Sequence, residues 1–149
     1  MVYIRVDMNE QIATGHMMRC LSIADALRDL GEQVTFILAD EQAINLLKQR
    51  GYDAIVLHTQ WNDMDGELQG LSQMIQNEQI EKLLIDSYLV TPQYLAKLSE
   101  SVKTVYIDDM NLFDYPVGAI ICYANYWKKF NYPIEQVEKH YYVGTKYVP

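Results

Sequence analysis

VYIRVDMNEQIATGHMMRCLSIADALRDLGEQVTFIL, residues 2–38, contains two short runs of β-branched and aromatic residues on either side of a helical pattern. The runs at 2–7 and 33–38 predict strands. The segment 15–30 predicts a helix, because four apolar residues recur at helical spacing and a glycine follows as a stop signal. The apolar residues are Met17, Leu21, Ala24 and Leu27, and the stop signal is Gly31. A strand, a helix and a second strand in this order are typical of a parallel sheet.

The same alternation continues along the chain. Further strands are predicted at 53–58, 82–88, 103–109, 118–123 and 140–144, and further helices at 40–51, 67–80 and 91–101. The helix at 67–80 is weaker because Gly70 lies inside it, and residues 61–66 (WNDMDG) are predicted to form a loop. Near-continuous apolar strands joined by helices indicate a doubly wound α/β fold with a mostly parallel, Rossmann-like sheet, which we expect to form one domain over residues 1–149.

Composition narrows the class of protein. The net charge is −8 and no basic run occurs in the 149 residues, which argues against binding to nucleic acid or to anionic membrane surfaces. No apolar run approaches the roughly 20 residues of a membrane helix, and the N-terminus lacks the pattern of a signal peptide. Cys20 and Cys122 are expected to be free thiols. We therefore expect a cytoplasmic protein.

Polar residues follow the predicted strands, where parallel α/β sheets bind their ligands. They are Asp7, Asp40, His58, Asp86 to Tyr88, and Asp108 with Asp109. Common cofactor motifs are missing from the sequence. The segment after the first strand has a single glycine, so it lacks the dinucleotide fingerprint, and neither a P-loop nor a G-x-S-x-G elbow occurs. No cofactor is predicted.

Two patterns raise the question of a metal ion. His16 and Cys20 are four residues apart on a predicted helix, but two ligands do not make a metal site, and Cys20 belongs to the apolar stripe. Asp108 and Asp109 suit either a magnesium ion or a turn that begins the next segment. We predict no metal site.

The start of the first helix is the most informative place in the chain. Unpaired backbone N–H groups and the helix dipole favour an anion there. Gly15 permits a close approach of a ligand to the backbone, and Arg19 lies one turn after His16, within reach of the same point. We interpret Gly15, His16 and Arg19 as parts of a functional site, although an unplaced histidine more often caps or packs.

Several stretches together resemble a known family. RVD at 5–7, IATGHMMRCLSIADAL at 12–27, LLIDSY at 83–88, VYIDDM at 105–110 and YYVGTKYVP at 141–149 occur in the same order as in the UDP-sugar hydrolases of pseudaminic acid biosynthesis and the related spore-coat polysaccharide proteins. Those proteins have the GT-B glycosyltransferase fold. This sequence departs from the family pattern at Ala13, where glycine is common, and at Met8 and Asn9, where small residues are usual.

The resemblance implies a function. It implies hydrolysis of a UDP-linked deoxy-amino sugar to free sugar and UDP, in the synthesis of bacterial surface polysaccharides or nonulosonic acids. His16 would be the general base, Asp86, Tyr88 and Asp109 would bind the sugar, and Asp7 would orient the loop before the helix. In this fold the nucleotide is held mainly by a second, C-terminal domain. Residues 1–149 would then be an N-terminal half that folds but is inactive alone.

Two alternatives remain open from the sequence. The chain would be the acceptor domain of a GT-B glycosyltransferase if His16 deprotonates a sugar hydroxyl instead of water. It would be a non-catalytic domain if the start of the first helix binds a small anion or a sugar without turnover.

Overall fold

The computed structural model describes residues 1–12, 14–135 and 137–149. Strands and helices alternate as the sequence predicts. The strands are β1 (Val2–Val6), β2 (Val34–Leu38), β3 (Asp53–Val56), β4 (Lys82–Asp86), β5 (Lys103–Ile107), β6 (Ala119–Cys122) and β7 (His140–Val143). The helices are α1 (Gly15–Asp29), α2 (Ile44–Gln49), α3 (Met64–Asn77) and α4 (Pro92–Ser99), with short 3₁₀ helices at Trp127–Phe130 and Thr145–Tyr147. Ala13, where the sequence departs from the family pattern, lies outside the described residues.

The seven strands form one sheet in the order β3-β2-β1-β4-β5-β6-β7, and each neighbouring pair is parallel. The order of the strands reverses between β1 and β4, which lie side by side. This arrangement confirms the predicted doubly wound α/β fold with a parallel, Rossmann-like sheet. Such a reversal opens a crevice at the carboxyl ends of the two central strands.

Both faces of the sheet are covered by apolar side chains. On one face, α1 packs through Met17, Cys20 and Leu21 together with Leu47 of α2. On the opposite face, α3 and α4 pack against the sheet through residues that include Leu71 and Leu95. In the described ranges no helix is both long and apolar enough to cross a lipid bilayer.

Two predicted helix starts are wrong. Residues 64–66 belong to α3 and not to a loop, because the Asp63 side chain accepts a hydrogen bond from the Gly66 N–H at 2.9 Å and caps the helix. The second helix begins at Ile44 and not at residue 40. The Asp40 side chain instead accepts the N–H of Gln42 at 2.9 Å, which forms a turn before the helix.

Three strands also end two residues earlier than predicted. β3 ends at Val56, and His58, two residues later, has a left-handed conformation with φ of 56°. After β5, the buried Asp108 accepts the N–H groups of Met110 and Asn111 and turns the chain. Ser87 and Tyr88, which were predicted to belong to the fourth strand, follow the last residue of β4 and lie outside it. The polar residues beyond the strand ends are therefore in loops at the carboxyl edge of the sheet.

Candidate functional site

A cavity of about 270 Å³ lies at the carboxyl edge of β1 and β4, where the strand order reverses. It is lined by Asp7, Ile12, His16, Trp61, Asp86, Ser87, Tyr88 and Leu89. The end of β1 supplies Asp7, the first turn of α1 supplies His16, and β4 with the following loop supplies the last four. Four of the predicted site residues, Asp7, His16, Asp86 and Tyr88, thus line one cavity.

His16 and Asp86 form a hydrogen-bonded pair. His16 Nδ1 lies 2.6 Å from Asp86 Oδ1, and the Asp86 carboxylate is buried while the His16 side chain keeps 12% of its surface exposed. A carboxylate accepts hydrogen bonds only, so Nδ1 carries the proton and donates it. When the ring is neutral, its Nε2 atom is therefore unprotonated, and Nε2 has no hydrogen-bond partner among the residues that the structure describes. A histidine held in this way can accept a proton at Nε2.

Arg19 fixes Asp86 from the other side. Its Nε and Nη2 atoms each donate to one oxygen of the Asp86 carboxylate at 2.5 Å. Nη1 donates to Asp109 Oδ2 at 2.5 Å and to the Tyr123 hydroxyl at 2.9 Å. Burial alone would lower the pKa of Arg19, but its hydrogen bonds to Asp86 and the charge of that carboxylate raise it, so the guanidinium stays charged.

This geometry differs from the anion contact suggested for Arg19 by its spacing from His16. The Arg19 side chain is only 11% exposed, and the donors of its guanidinium face protein groups. The nearby His16 Nδ1, at 3.0 Å from Nη2, already carries a proton and is not an acceptor for Arg19. Arg19 therefore orients the carboxylate that orients His16.

Asp86 stays ionised in spite of its burial. Desolvation by itself would raise the pKa of Asp86, but the hydrogen bonds from Arg19 and His16, with the charge of Arg19, lower it below its usual range. The buried Cys20 thiol lies 3.5 Å from Asp86 Oδ2 and donates to it. Cys20 thus contributes to the surroundings of Asp86 from within the apolar face of α1.

Tyr88 connects His16 with Asp109. Its ring packs edge-on against the imidazole, with 4.4 Å between ring centroids, and its hydroxyl donates to Asp109 Oδ2 at 2.8 Å. Burial and this hydrogen bond raise the pKa of Tyr88 to about 12, so the hydroxyl stays protonated at neutral pH. Asp109 and Arg19 do not line the cavity; Asp109 contacts the lining residue Tyr88 and also pairs with Arg19.

Asp7 belongs to a buried ionic network. Its carboxylate accepts Arg5 Nη1 at 2.6 Å and the Ala39 N–H at 2.8 Å. Arg5 is fully buried and also forms a two-point pair with Glu67 of α3, with both distances at 2.7 Å. Burial raises the pKa of Asp7, an effect that the charge of Arg5 opposes. The network fixes the end of β1 beside the cavity and links it to α3 through Glu67.

Sequence reasoning missed the apolar wall of the cavity and the ionic network behind it. Ile12, Trp61 and Leu89 lie in loops, and loop residues show no periodicity that would assign them to a site. Arg5 did carry a signal, since a charged residue inside an otherwise apolar strand needs a buried partner.

The remaining predicted residues lie outside the lining of the cavity. Gly15 begins α1, and a Cβ added there would meet no atom within 4 Å among the described residues beyond its chain neighbours and its own helix backbone, which leaves space there for a ligand. His58 and Asp40 do not line the cavity. Asp108 accepts the Tyr115 hydroxyl at 2.9 Å and two backbone N–H groups, which is the turn-forming role. Within the described ranges no three potential ligands are grouped to hold a metal ion.

The comparisons with known proteins support the fold. The chain matches no protein-family profile, and no curated protein matches it either. Among solved structures it is similar to a glycosyltransferase from Rickettsia africae ESF-5, with a TM-score of 0.65 and 12% sequence identity. The match covers 95% of this chain and 41% of that chain. At this identity the likeness establishes a shared fold, and the chain resembles one part of a glycosyltransferase.

Proposed function

We propose that this chain carries the catalytic histidine of an enzyme that acts on a nucleotide-linked sugar, with His16 as general base. The observation that carries the proposal is the 2.6 Å contact between His16 Nδ1 and Asp86 Oδ1 beside a cavity at the reversal of strand order. A buried carboxylate that fixes the tautomer of a histidine is a recurring device for delivering a base at Nε2.

The favoured reaction is hydrolysis with release of UDP. A water molecule in the cavity gives a proton to His16 Nε2 while its oxygen attacks the anomeric carbon of the sugar. The bond from that carbon to the phosphate oxygen breaks, and its electron pair leaves with UDP. A nucleoside diphosphate is a good leaving group, so one base is sufficient and the second carboxylic acid of ordinary glycosidases is not needed.

The size and lining of the cavity favour the sugar as its occupant. At about 270 Å³ it is slightly smaller than the ~300–1,000 Å³ of typical ligand pockets, which suits one sugar ring and not a complete nucleotide-sugar. Asp7 and Tyr88 offer polar contacts on one side. Ile12, Trp61 and Leu89 form an apolar wall for the carbon face of a ring, such as that of a deoxy sugar.

The diphosphate is proposed to lie near the start of α1, over Gly15. Backbone N–H groups there favour an anion. The net charge of −8 and the engagement of Arg19 with Asp86 and Asp109 mean that this chain offers few cations to a diphosphate. We therefore propose that a second domain holds the nucleotide. The family resemblance supports this arrangement, and the chain spans only 41% of the glycosyltransferase it matches.

The second candidate function is glycosyl transfer, which the similarity to a glycosyltransferase favours. In this case His16 accepts the proton of a sugar hydroxyl, and that oxygen attacks the anomeric carbon. The residues and the leaving group are the same in both reactions.

The test follows UDP release by the intact protein from UDP-linked deoxy-amino sugars without an acceptor. Hydrolysis gives equal amounts of UDP and free sugar, whereas release only after an acceptor is added supports transfer. His16→Asn should lower the rate by ~10²–10⁴, the usual contribution of general base catalysis. The matched control is His58→Asn, because His58 is exposed, does not line the cavity and has a φ of 56° that asparagine tolerates. Equal rates for wild type and a folded His16→Asn variant would contradict both functions.

A further inference from the structure

A second cavity, of about 280 Å³, lies on the β5–β6–β7 side of the sheet. It shares no lining residue with the cavity at His16. Five aromatic side chains line much of it: Phe113, Tyr115, Phe130, Tyr132 and Tyr141. The proposed function makes no use of this cavity.

The aromatic walls are held in place by a single buried carboxylate. Asp108 accepts hydrogen bonds from the hydroxyls of Tyr115 and Tyr132, so the polar ends of both side chains are already paired. Asn111 Nδ2 donates to the Phe130 carbonyl at 3.0 Å and joins the two loops that form the walls. The cavity is therefore organised before any ligand binds, which lowers the entropic cost of binding.

The polar groups at the rim are amides and one neutralised carboxylate. Within the described ranges the side-chain amide of Asn131 makes no hydrogen bond to protein. Among the same residues the amide of Asn111 makes only the bond from its nitrogen to Phe130, and its oxygen is left without a protein partner. Asp114 is paired with Lys139 at 2.6 Å. The rim thus offers donors and acceptors to hydroxyl groups without a strong net charge.

We propose that this cavity is an accessory saccharide-binding site for one neutral pyranose ring. A pyranose has C–H faces that pack on aromatic rings and hydroxyls around its edge. Aromatic faces carry partial negative charge and attract the slightly positive C–H groups, while the amides of Asn111 and Asn131 pair with the hydroxyls. A mostly apolar cavity with a few placed polar groups is the usual form of a small-molecule site.

The test is a titration of the ¹⁵N-labelled protein followed by backbone amide shifts in NMR spectra. The probes are D-glucose and N-acetyl-D-glucosamine, and glycerol is the control for a non-cyclic polyol. At least one saccharide should produce saturable shifts, in the millimolar range, at residues 111–115 and 130–132. Phe113→Leu, which keeps an apolar side chain, and Asn131→Gly, which suits the φ of 51°, should each weaken binding at least fivefold.

Two controls separate this site from the rest of the molecule. Tyr142→Leu removes an exposed aromatic side chain that does not line the cavity, and it should leave binding unchanged. His16→Asn should also leave it unchanged, so failure of the proposed catalytic role does not affect this result. No saturable shift with either saccharide, equal shifts with glycerol, shifts centred on His16, or folded Phe113→Leu and Asn131→Gly variants that bind normally would each overturn the proposal.

Discussion

His16 and Asp86 lie 70 positions apart in the sequence and 2.6 Å apart in the fold. The sequence placed each residue at the ligand-binding edge of a parallel sheet, because one begins a helix after a strand and the other ends a strand. Their pairing depends on which strand lies beside β1, and residue patterns do not encode that order. The family resemblance implied Asp86 as a sugar contact, and in the fold its carboxylate accepts hydrogen bonds from His16 and Arg19.

Arg19 also shows that a sequence pattern does not reveal which side chains will pair in the fold. Its spacing from His16 correctly indicated that the two side chains lie together, at 3.0 Å between Nη2 and Nδ1. A sequence shows the charge of a guanidinium but not which carboxylates will fold against it. Asp86 and Asp109 come from two different strand ends, and both reach Arg19.

The ionisation of Asp86 predicts a pH dependence of stability. Because the pKa of Asp86 is lower in the folded protein than its unfolded value of about 3.9, its ionised form stabilises the fold. This contribution is fully present above about pH 4 and is lost as the pH falls through the folded pKa. We expect the free energy of unfolding, measured in urea, to fall less steeply with decreasing pH in Asp86→Asn than in wild type.

The matched control for this measurement is Asp29→Asn at the exposed end of α1, which should keep the wild-type slope. If Asp86→Asn does not fold, carbon NMR of the Asp86 carboxyl in the wild-type protein gives the pKa directly. A carboxyl that titrates above its usual range would contradict the ion-pair account.

At the scale of elements, periodicity identified each helix and strand but located their ends poorly. Apolar spacing extends through a helix, whereas its start is decided by one side-chain hydrogen bond, such as that from the Gly66 N–H to the Asp63 carboxylate. Arg5 in β1 shows a second limit. Its burial requires Asp7 and Glu67 together, and Glu67 comes from a helix 62 residues later in the chain.

The two glycines of α3 are expected to respond differently to alanine. A Cβ at Gly70 would meet no atom within 4 Å, so Gly70→Ala should raise the free energy of unfolding by about 0.5–1 kcal/mol through helix propensity. A Cβ at Gly66 would lie 2.3 Å from Asp63 Oδ2. Gly66→Ala must displace the capping carboxylate, which costs about 0.5–2 kcal/mol and offsets the same propensity gain.

Thermal and urea unfolding of the two variants measure this difference directly, and each glycine serves as the control for the other. Equal stabilisation by both substitutions would show that the Asp63 cap contributes little to α3.

At the scale of the whole molecule, the alternation of strands and helices was sufficient to predict a parallel, doubly wound sheet. The structure places the reversal of strand order between β1 and β4, and this reversal accounts for the position of the His16 cavity. The aromatic cavity near β6 and β7 was not predicted. It forms between loop segments, 111–115 and 130–133, that have no regular pattern in the sequence, and Asp108 joins Tyr115 and Tyr132 only in the folded chain.

The proposal that a second domain holds the nucleotide predicts the behaviour of residues 1–149 alone. We expect cooperative unfolding, because all seven strands are paired and apolar side chains cover both faces of the sheet. We expect neither turnover of UDP-sugars nor micromolar affinity for UDP, because a site without a nucleotide pocket cannot orient its substrate, and orientation can contribute ~7–11 kcal/mol to lowering a barrier. Calorimetric titration with UDP checks this. Micromolar binding would contradict the assignment of the nucleotide to another domain.

The central claim, that Asp86 holds His16 as a base with a free Nε2, is tested most directly by the tautomer of His16. Imidazole ¹⁵N NMR at mildly alkaline pH, with His16→Asn to assign the signals, should show a proton on Nδ1 and none on Nε2. In Asp86→Asn the amide can donate to Nδ1, so the proton should move to Nε2. A wild-type His16 with its proton on Nε2, or a tautomer unchanged in a folded Asp86→Asn variant, would contradict the account.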